Sequence, residues 1–404
     1  MKTIKRTAEA KIADLSSQFP VVMVTGARQV GKTTLLKMLD AKRNFVTLDD
    51  PRLRELAVRD PLLFLQSCKT PLTIDEFQYA KELLPYIKMS VDANPNESGL
   101  YWLTGSQQFQ LMKDVGESLA GRVAVLPLGG ITQGEERGET THDPFSFLSG
   151  GQSSLVDFDG VREVFARIHR GNFPALVAGR VRDWQTFYRS YVATYVERDV
   201  REICNVSDTL SFVQFLKALA ARTGNLLNLS DVARDVGITP PTAKAWLSIL
   251  EESGLVYLLR PYKANVNSRI VKTPKVYFLD TGLCCYLTGW TSPATAMDGA
   301  MSGALLETFV VSEIVRSFWN AGQEPPLLFY RDKNGVEIDL LLERDGVFFP
   351  VEIKKSASPS IGDVKSFSSV RAHGVNLGRG GVLCLSPRAY PLSGDVQVIP
   401  IGSL

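Results

Sequence analysis

The chain has 404 residues, 45% of them hydrophobic and 22% charged, with a formal net charge of +2 at pH 7. That length is too great for one ordinary core and predicts two or three domains of a globular protein. The near-neutral balance excludes a chain that is basic throughout, so any nucleic-acid surface has to be a local patch.

No apolar run reaches membrane-spanning length, and Met1-Lys2-Thr3-Ile4-Lys5-Arg6 leads into a polar helix without the pattern of a signal peptide. The expectation is a cytoplasmic protein with no membrane partner. Cys68, Cys204, Cys284, Cys285 and Cys384 are scattered without paired spacing, the pattern of reduced thiols and not of a zinc or disulfide framework.

Val21-Val22-Met23-Val24 predicts an apolar strand, and Thr34-Leu35-Leu36-Lys37-Met38-Leu39 a helix. Between them Gly26-Ala27-Arg28-Gln29-Val30-Gly31-Lys32-Thr33 matches the phosphate-binding loop G-x-x-x-x-G-K-[ST]. Glycines let such a backbone wrap a triphosphate with its N–H groups turned to the oxygens. Lys32 then reaches the β- and γ-phosphates, Thr33 supplies a hydroxyl to Mg²⁺, and the helix N-terminus at Thr34 favours the anion. The whole stretch from Gly26 to Thr34 is the expected nucleotide site. No guanine-selecting Asn/Thr-Lys-x-Asp element stands out, so the expected cofactors are ATP or ADP with Mg²⁺.

Phe45–Leu48 reads as the next strand, closed by Asp49-Asp50-Pro51, with a helical stretch over Arg52–Leu65. Pro71-Leu72-Thr73-Ile74 is a short strand ending in two carboxylates. There Asp75 would join the Mg²⁺ shell and Glu76 would polarise the attacking water. Leu100–Thr104 is another strand, and a polar residue at its tip can sense the γ-phosphate. Ser106 is the candidate, with Thr104 and Gln107 behind it. Arg122, just before the strand Val123–Leu126, has two readings. It is either an arginine finger reaching a neighbouring subunit's nucleotide or a helix-end cation helped by the dipole.

Residues 130–160 are rich in Gly, Ser, Thr and Asp and read as a connector with little core. From Trp184 to Val200, apolar residues at three- and four-residue steps predict a long helix whose polar side carries Arg189, Arg198 and Arg201. Arg198 is either a lid arginine or an ion-pair partner of a neighbouring carboxylate. Leu229 to Tyr262 reads as helix, Gly237 turn, helix and apolar hairpin, with Ser230 capping the first helix and Thr239-Pro240 opening the second. That is a winged helix-turn-helix shape. Lys244 is the one basic residue of its second helix, so DNA reading competes with a role as lid or subunit contact.

Towards the C-terminus, Leu328–Arg331 and Val336–Leu342 form a predicted hairpin through the turn Asp332-Lys333-Asn334-Gly335. Phe348–Lys354 is the next strand. Asp339 followed by Glu352-x-Lys354 is the D…E-x-K constellation of restriction-type nucleases, and alternation puts Glu352 and Lys354 on one face. Asp339 and Glu352 would hold Mg²⁺, while Lys354 would assist hydroxide at a phosphodiester. Glu307, opening an amphipathic helix, fits the fourth position of that class. Lys333, Lys354, Lys355, Lys365 and Arg371 are candidates for a basic patch.

Strand order, the Asp75-Glu76 pair and the pre-strand Arg122 resemble the AAA+ class. The phrases Asp75-Glu76-Phe77-Gln78, Leu119-Ala120-Gly121-Arg122-Val123, Gly171-Asn172-Phe173-Pro174 and Tyr195-Val196-Glu197-Arg198-Asp199 narrow this further. Together with the C-terminal motif, they resemble the prokaryotic AAA+-type ATPases that carry a restriction-endonuclease-like domain. The resemblance spans nearly the whole chain. It implies an α/β fold: a P-loop parallel sheet over 1–135, a connector and helical lid over 136–225, a winged helix over 226–264, and an α/β nuclease-like domain over 265–404. It also implies that Pro174 packs on adenine, for which a plain turn proline is the alternative.

Three functions compete: an oligomeric ATPase coupled to a nucleic-acid site that binds or cleaves, a slow-exchange nucleotide switch, and a scaffold in which the nuclease fold is a dimer interface. A homo-oligomer is expected, and DNA or another nucleic acid is the candidate partner.

Overall fold

The computed structural model describes residues 3–105, 115–116, 118–141, 143–148, 160–195, 209–262 and 272–404. The first part is a fully parallel sheet in the order β2-β3-β4-β1-β5, formed by Val21–Thr25 (β1), Asn44–Thr47 (β2), Leu72–Asp75 (β3), Tyr101–Gly105 (β4) and Val123–Pro127 (β5). Every residue of β1, β3 and β4 is buried, which explains their apolar runs in place of alternation. Ala8–Gln18 (α1), Lys32–Leu39 (α2), Pro51–Arg59 (α3), Pro61–Ser67 (α4) and Leu84–Ala93 (α5) accompany the sheet. The helical stretch expected over Arg52–Leu65 divides at Asp60-Pro61. The proline has no N–H to continue α3, and the Asp60 carboxylate accepts from Leu63 N–H to cap α4.

The stretch read as a connector with little core is, in its first half, deeply buried. Ile131, Thr132, Gln133, Glu135 and Phe145 are all buried. Gln133–Arg137 (α6) opens with a capping box between Thr132 and Glu135. Polarity misled here because these groups are paired inside the protein: Gln133 N–H donates to Glu313, and Arg137 donates to the carbonyls of Gly402 and Leu404.

Val161–Arg170 (α7), Pro174–Val177 (α8) and Trp184–Tyr195 (α9) follow, the last burying Tyr188, Tyr191, Val192 and Tyr195 as its spacing predicts. Arg198 and Arg201 lie outside the described residues. Thr209–Ala220 (α10), Leu229–Val236 (α11) and Pro240–Glu252 (α12) come next, with Gly237 in the left-handed region between the last two. Thr239 and Pro240 begin α12 as expected. Asn228, however, and not Ser230, caps α11: its extended backbone lets Oδ1 accept from the N–H groups of Ser230 and Asp231.

Val256–Pro261 (β6) pairs antiparallel with Lys275–Phe278 (β7) and, through Arg260 and Pro261, parallel with Leu327–Arg331 (β8). The sheet continues through Glu337–Arg344 (β9), Val347–Lys354 (β10), Gly380–Cys384 (β11), Tyr390–Pro391 (β12) and Val396–Pro400 (β13), in the order β12-β13-β11-β10-β9-β8-β6-β7. The sheet therefore takes its strands from both sides of position 264. Thr281–Thr288 (α13), Pro293–Asp298 (α14), Ser302–Asn320 (α15) and Lys365–Ala372 (α16) complete the fold. Buried residues of β1, α2 and α15 belong to one continuous apolar core, so the two sheets are joined through packed side chains.

Candidate functional site

The phosphate loop leaves β1 and turns into α2 with φ of +140° at Gly26 and +97° at Gly31. A Cβ on Gly26 would sit 2.2 Å from the Leu128 carbonyl oxygen, so glycine is required there by backbone angle and by contact. Lys32 Nζ donates to the carbonyls of Gly26 and Ala27, both at 2.9 Å, which curls the side chain over the loop.

The end of β3 stands directly beside it. Asp75 Oδ1 accepts from Thr33 Oγ1 and from Thr104 Oγ1, each at 2.7 Å, and its Oδ2 accepts from Thr47 Oγ1 at 3.3 Å. Glu76 takes a left-handed backbone (φ +56°), donates its N–H to Thr104 Oγ1 at 3.1 Å, and accepts on its carboxylate from Gln78 Nε2. Thr104 thus binds both carboxylate residues. Ser106 and Gln107 lie outside the described residues.

A cavity of about 370 Å³ opens over this arrangement, lined by Lys32, Thr33, Glu76 and Pro174 among others. Arg28, Gln29, Gly31 and Thr34 also face it. Ala27 and Val30 line a smaller space on the other side of the loop, against Gly254, Leu255 and Trp319. Pro174 begins α8, and its Cγ would lie 3.6 Å from a Cβ on Gly31, so the proline is in the cavity wall. Oxygen donors on Thr33 and Asp75, within hydrogen-bond reach of each other, suit a hard cation such as Mg²⁺.

Arg122 is elsewhere. Its carbonyl accepts from Val21 N–H, at the start of β1 and therefore at the opposite end of the sheet from the loop. Its guanidinium pairs with Asp92 at 2.6 Å.

A second polar cavity, of about 630 Å³, lies beside the strands β7, β9 and β10, with α15 and α16 in its wall. It brings together Glu307, Asp339, Glu352 and Lys354. Lys354 Nζ lies 2.6 Å from Glu352 and 3.6 Å from Asp339. Asp339 also accepts from Ile353 N–H at 2.9 Å, and Glu352 from Ser366 Oγ at 3.0 Å. Burial and the nearby Asp339 push the Glu352 carboxyl up to about 8. Glu307 is engaged differently from the expectation. It accepts from Tyr277 Oη at 2.6 Å and from Lys275 Nζ at 3.0 Å, and Lys275 also pairs with Glu337 at 2.7 Å. Burial raises the Glu307 carboxyl, and Asp339 adds to it. Among the described residues, no group of three or more His, Cys, Asp or Glu side chains is arranged to hold a metal ion.

The proposed basic patch is not one surface. Lys355, next to Lys354, points the other way and donates to the Met297 carbonyl and to Ser302, while Arg371 pairs with Asp395. Lys365 does line the cavity. Sequence reasoning missed Lys275, Tyr277 and Ser366. A lysine inside the short buried strand Lys275-Val276-Tyr277-Phe278 was the available signal, since such a charge needs a partner.

Among the described residues no helix is long and apolar enough to cross a membrane. Residues 18–136 match the family described as an AAA domain, 161–294 a domain of unknown function (DUF8612), and 302–404 another (DUF4143). The uncharacterized proteins Mb2031c of Mycobacterium bovis and Rv2008c of Mycobacterium tuberculosis are each 28% identical over 397 residues, covering 98% of this chain and 83% of theirs. Among solved structures, a Walker-type ATPase of Pyrococcus abyssi aligns with TM-score 0.43 and 17% identity over 69% of this chain and 94% of its own. RuvB of Thermotoga maritima aligns with TM-score 0.32 and 18% identity over 64% and 90%. The phosphate loop, the Asp75-Glu76 strand end and the match over residues 18–136 together support an AAA-type P-loop ATPase domain in the first part of the chain.

Proposed function

We propose that the chain binds and hydrolyses ATP as a homo-oligomer and couples turnover to a nuclease-like C-terminal region that engages nucleic acid. The observation that carries the ATPase half is the hydrogen-bonded series Thr33–Asp75–Thr104–Glu76 beside the loop. Lys32 binds the β- and γ-phosphates. Thr33 and Asp75 hold Mg²⁺, which when bound neutralises charge on the phosphate oxygens. Glu76 orients and polarises the attacking water, and Thr104 keeps the two carboxylate residues in register. Pro174 packs on the base. Ser106 remains the proposed γ-phosphate sensor, and Arg122 the residue given to a neighbouring subunit.

For the second cavity, Asp339 and Glu352 offer oxygen ligands to a divalent cation, and Lys354 and Lys365 offer positive charge to a phosphodiester. The winged helix-turn-helix shape of α11 and α12 serves as a lid or subunit contact in this reading. One observation favours a switch over a nuclease: Lys275 and Tyr277 already satisfy Glu307, leaving two carboxylates where cleavage was expected to use three.

The test is phosphate release from ATP and Mg²⁺, with and without DNA, over a range of protein concentrations. Lys32→Ala is expected to abolish nucleotide binding. Glu76→Gln is expected to keep binding and lose turnover by about 10²-fold or more. Turnover in Glu76→Gln equal to wild type would remove the glutamate from its role. Slow release that ignores DNA would favour the switch.

A further inference from the structure

Arg6 stands just before α1 and is only 6% exposed, although a guanidinium is rarely buried without several partners. Its partners are specific. Nη1 donates to the Val30 carbonyl at 2.9 Å, inside the phosphate loop. Nη2 donates to the carbonyls of Gly129 at 2.7 Å and Gly130 at 3.3 Å, where the chain leaves β5. Nε donates to Glu135 Oε2 at 3.1 Å.

Glu135 is itself fixed from three further directions, accepting from the N–H groups of Thr7 and Thr132 and from Asn320 Nδ2. Asn320, the last residue of α15, also donates to the Gly130 carbonyl at 3.2 Å and accepts from Gly129 N–H at 2.9 Å. Arg6 is in the wall of the nucleotide cavity, with Nη1 3.7 Å from the place a Cβ on Gly31 would take. Asn320 does not line that cavity.

Resting on the ATPase reading above, we propose that Arg6 is a positioning residue for the phosphate loop, anchored by Glu135 and Asn320, so that nucleotide affinity depends on helix α15. The physical reason is that the loop binds phosphate with backbone N–H groups, whose directions are set by where the intervening carbonyls are held. One guanidinium fork holds Val30 O in a fixed relation to Gly129 and Gly130, and a planar, five-donor group is what that geometry requires. Lysine, a point charge, cannot hold all four acceptors at once.

The experiment uses the full chain, titrated with a fluorescent ADP analogue in Mg²⁺ and assayed for phosphate release. Arg6→Met alone would leave the Glu135 carboxylate buried without its cation and is a poor test, because it can fail to fold. The neutral pair Arg6→Met with Glu135→Gln avoids this, and Asn320→Ala tests the anchor from outside the cavity. Both folded variants are expected to bind the analogue about tenfold more weakly or worse, with KM raised and kcat at saturation within about twofold. Arg6→Lys is expected to recover part of the affinity. Wild-type affinity in both folded variants overturns the proposal and leaves Arg6 as a contact of the fold. A wild-type chain that binds no nucleotide overturns the ATPase reading along with it.

Discussion

His169 shows how one side chain's surroundings set a measurable property. Its ring is buried on α7, stacked on Trp184 with centroids 4.1 Å apart, and Nε2 lies 3.1 Å from the Trp290 carbonyl. Burial lowers its pKa below the ordinary 6.5, while the Trp290 and Thr291 carbonyls pull the other way. The unfolded chain therefore takes up a proton at a pH where the folded chain has not, and stability falls as pH drops below about 6.5. His169→Gln is expected to flatten this acid-side fall. Melting temperatures of both proteins measured from pH 7.5 to 5 should converge as pH decreases, and parallel curves would show that His169 is not the group concerned. The same scale decides what could be read from the sequence. Lys32 and Thr33 were legible because phosphate chemistry fixes their spacing, and Asp75 and Glu76 because two carboxylates end a short apolar strand. Arg6 was not, because its four acceptors are backbone carbonyls and a carboxylate brought near by the fold, and no local pattern marks them.

At the scale of elements, α13 depends on one residue. Asp280 precedes its first turn and accepts from Leu283 N–H, from Asn172 N–H and from Tyr188 Oη, each at 2.6 Å. The carboxylate thus caps α13, closes the turn before Pro174 and fixes α9. Asp280→Ala would leave two N–H groups without partners in the core and the Tyr188 hydroxyl with only the Arg170 carbonyl at 3.1 Å, at a cost of about 2–4 kcal/mol. The expected result is a lower denaturant midpoint, and an unchanged midpoint would mean that the three donors find other acceptors. Because the same residue sets the approach to Pro174, Asp280→Ala is also expected to weaken nucleotide binding. Strands such as β1 and β3 were legible as continuous apolar runs, and α9 as a stripe at helical spacing. The joining of β6 to β8 was not. It rests on a pairing between Arg260-Pro261 and Leu328-Phe329, and strand pairing across that distance leaves no periodic trace in either segment. The buried start of the connector was illegible for a related reason: its polar residues are satisfied by α15 and the C-terminal turn, so polarity there did not mean solvent.

For the whole molecule, the two cavities are built at opposite ends of α15. Glu307 near its start faces the carboxylate–lysine cavity, and Asn320 at its end holds Gly129 and Gly130 behind the phosphate loop. A single chain therefore brings its own loop, Asp75 and Glu76 together, but it cannot bring Arg122 to them. That residue sits beyond the first residue of β1, whereas the loop follows the last, and the strand between them is five residues long. At about 3.3 Å per residue this separates Arg122 from the phosphates by well over the reach of one side chain. Any direct part it takes in hydrolysis has to be in a second copy. Mixing gives a sharp test of this. Arg122→Ala keeps an intact loop and lacks the arginine, while Lys32→Ala lacks nucleotide and keeps the arginine. Each alone is expected to be inactive, and the mixture to regain turnover as mixed oligomers form, rising with total protein concentration. If Arg122→Ala hydrolyses ATP at the wild-type rate by itself, the arginine is the surface partner of Asp92 and nothing more. If both variants are inactive and stay so when mixed under conditions where they demonstrably associate, the loss in Arg122→Ala comes from within its own subunit, through the exposed Asp92 pair, and the trans role is ruled out.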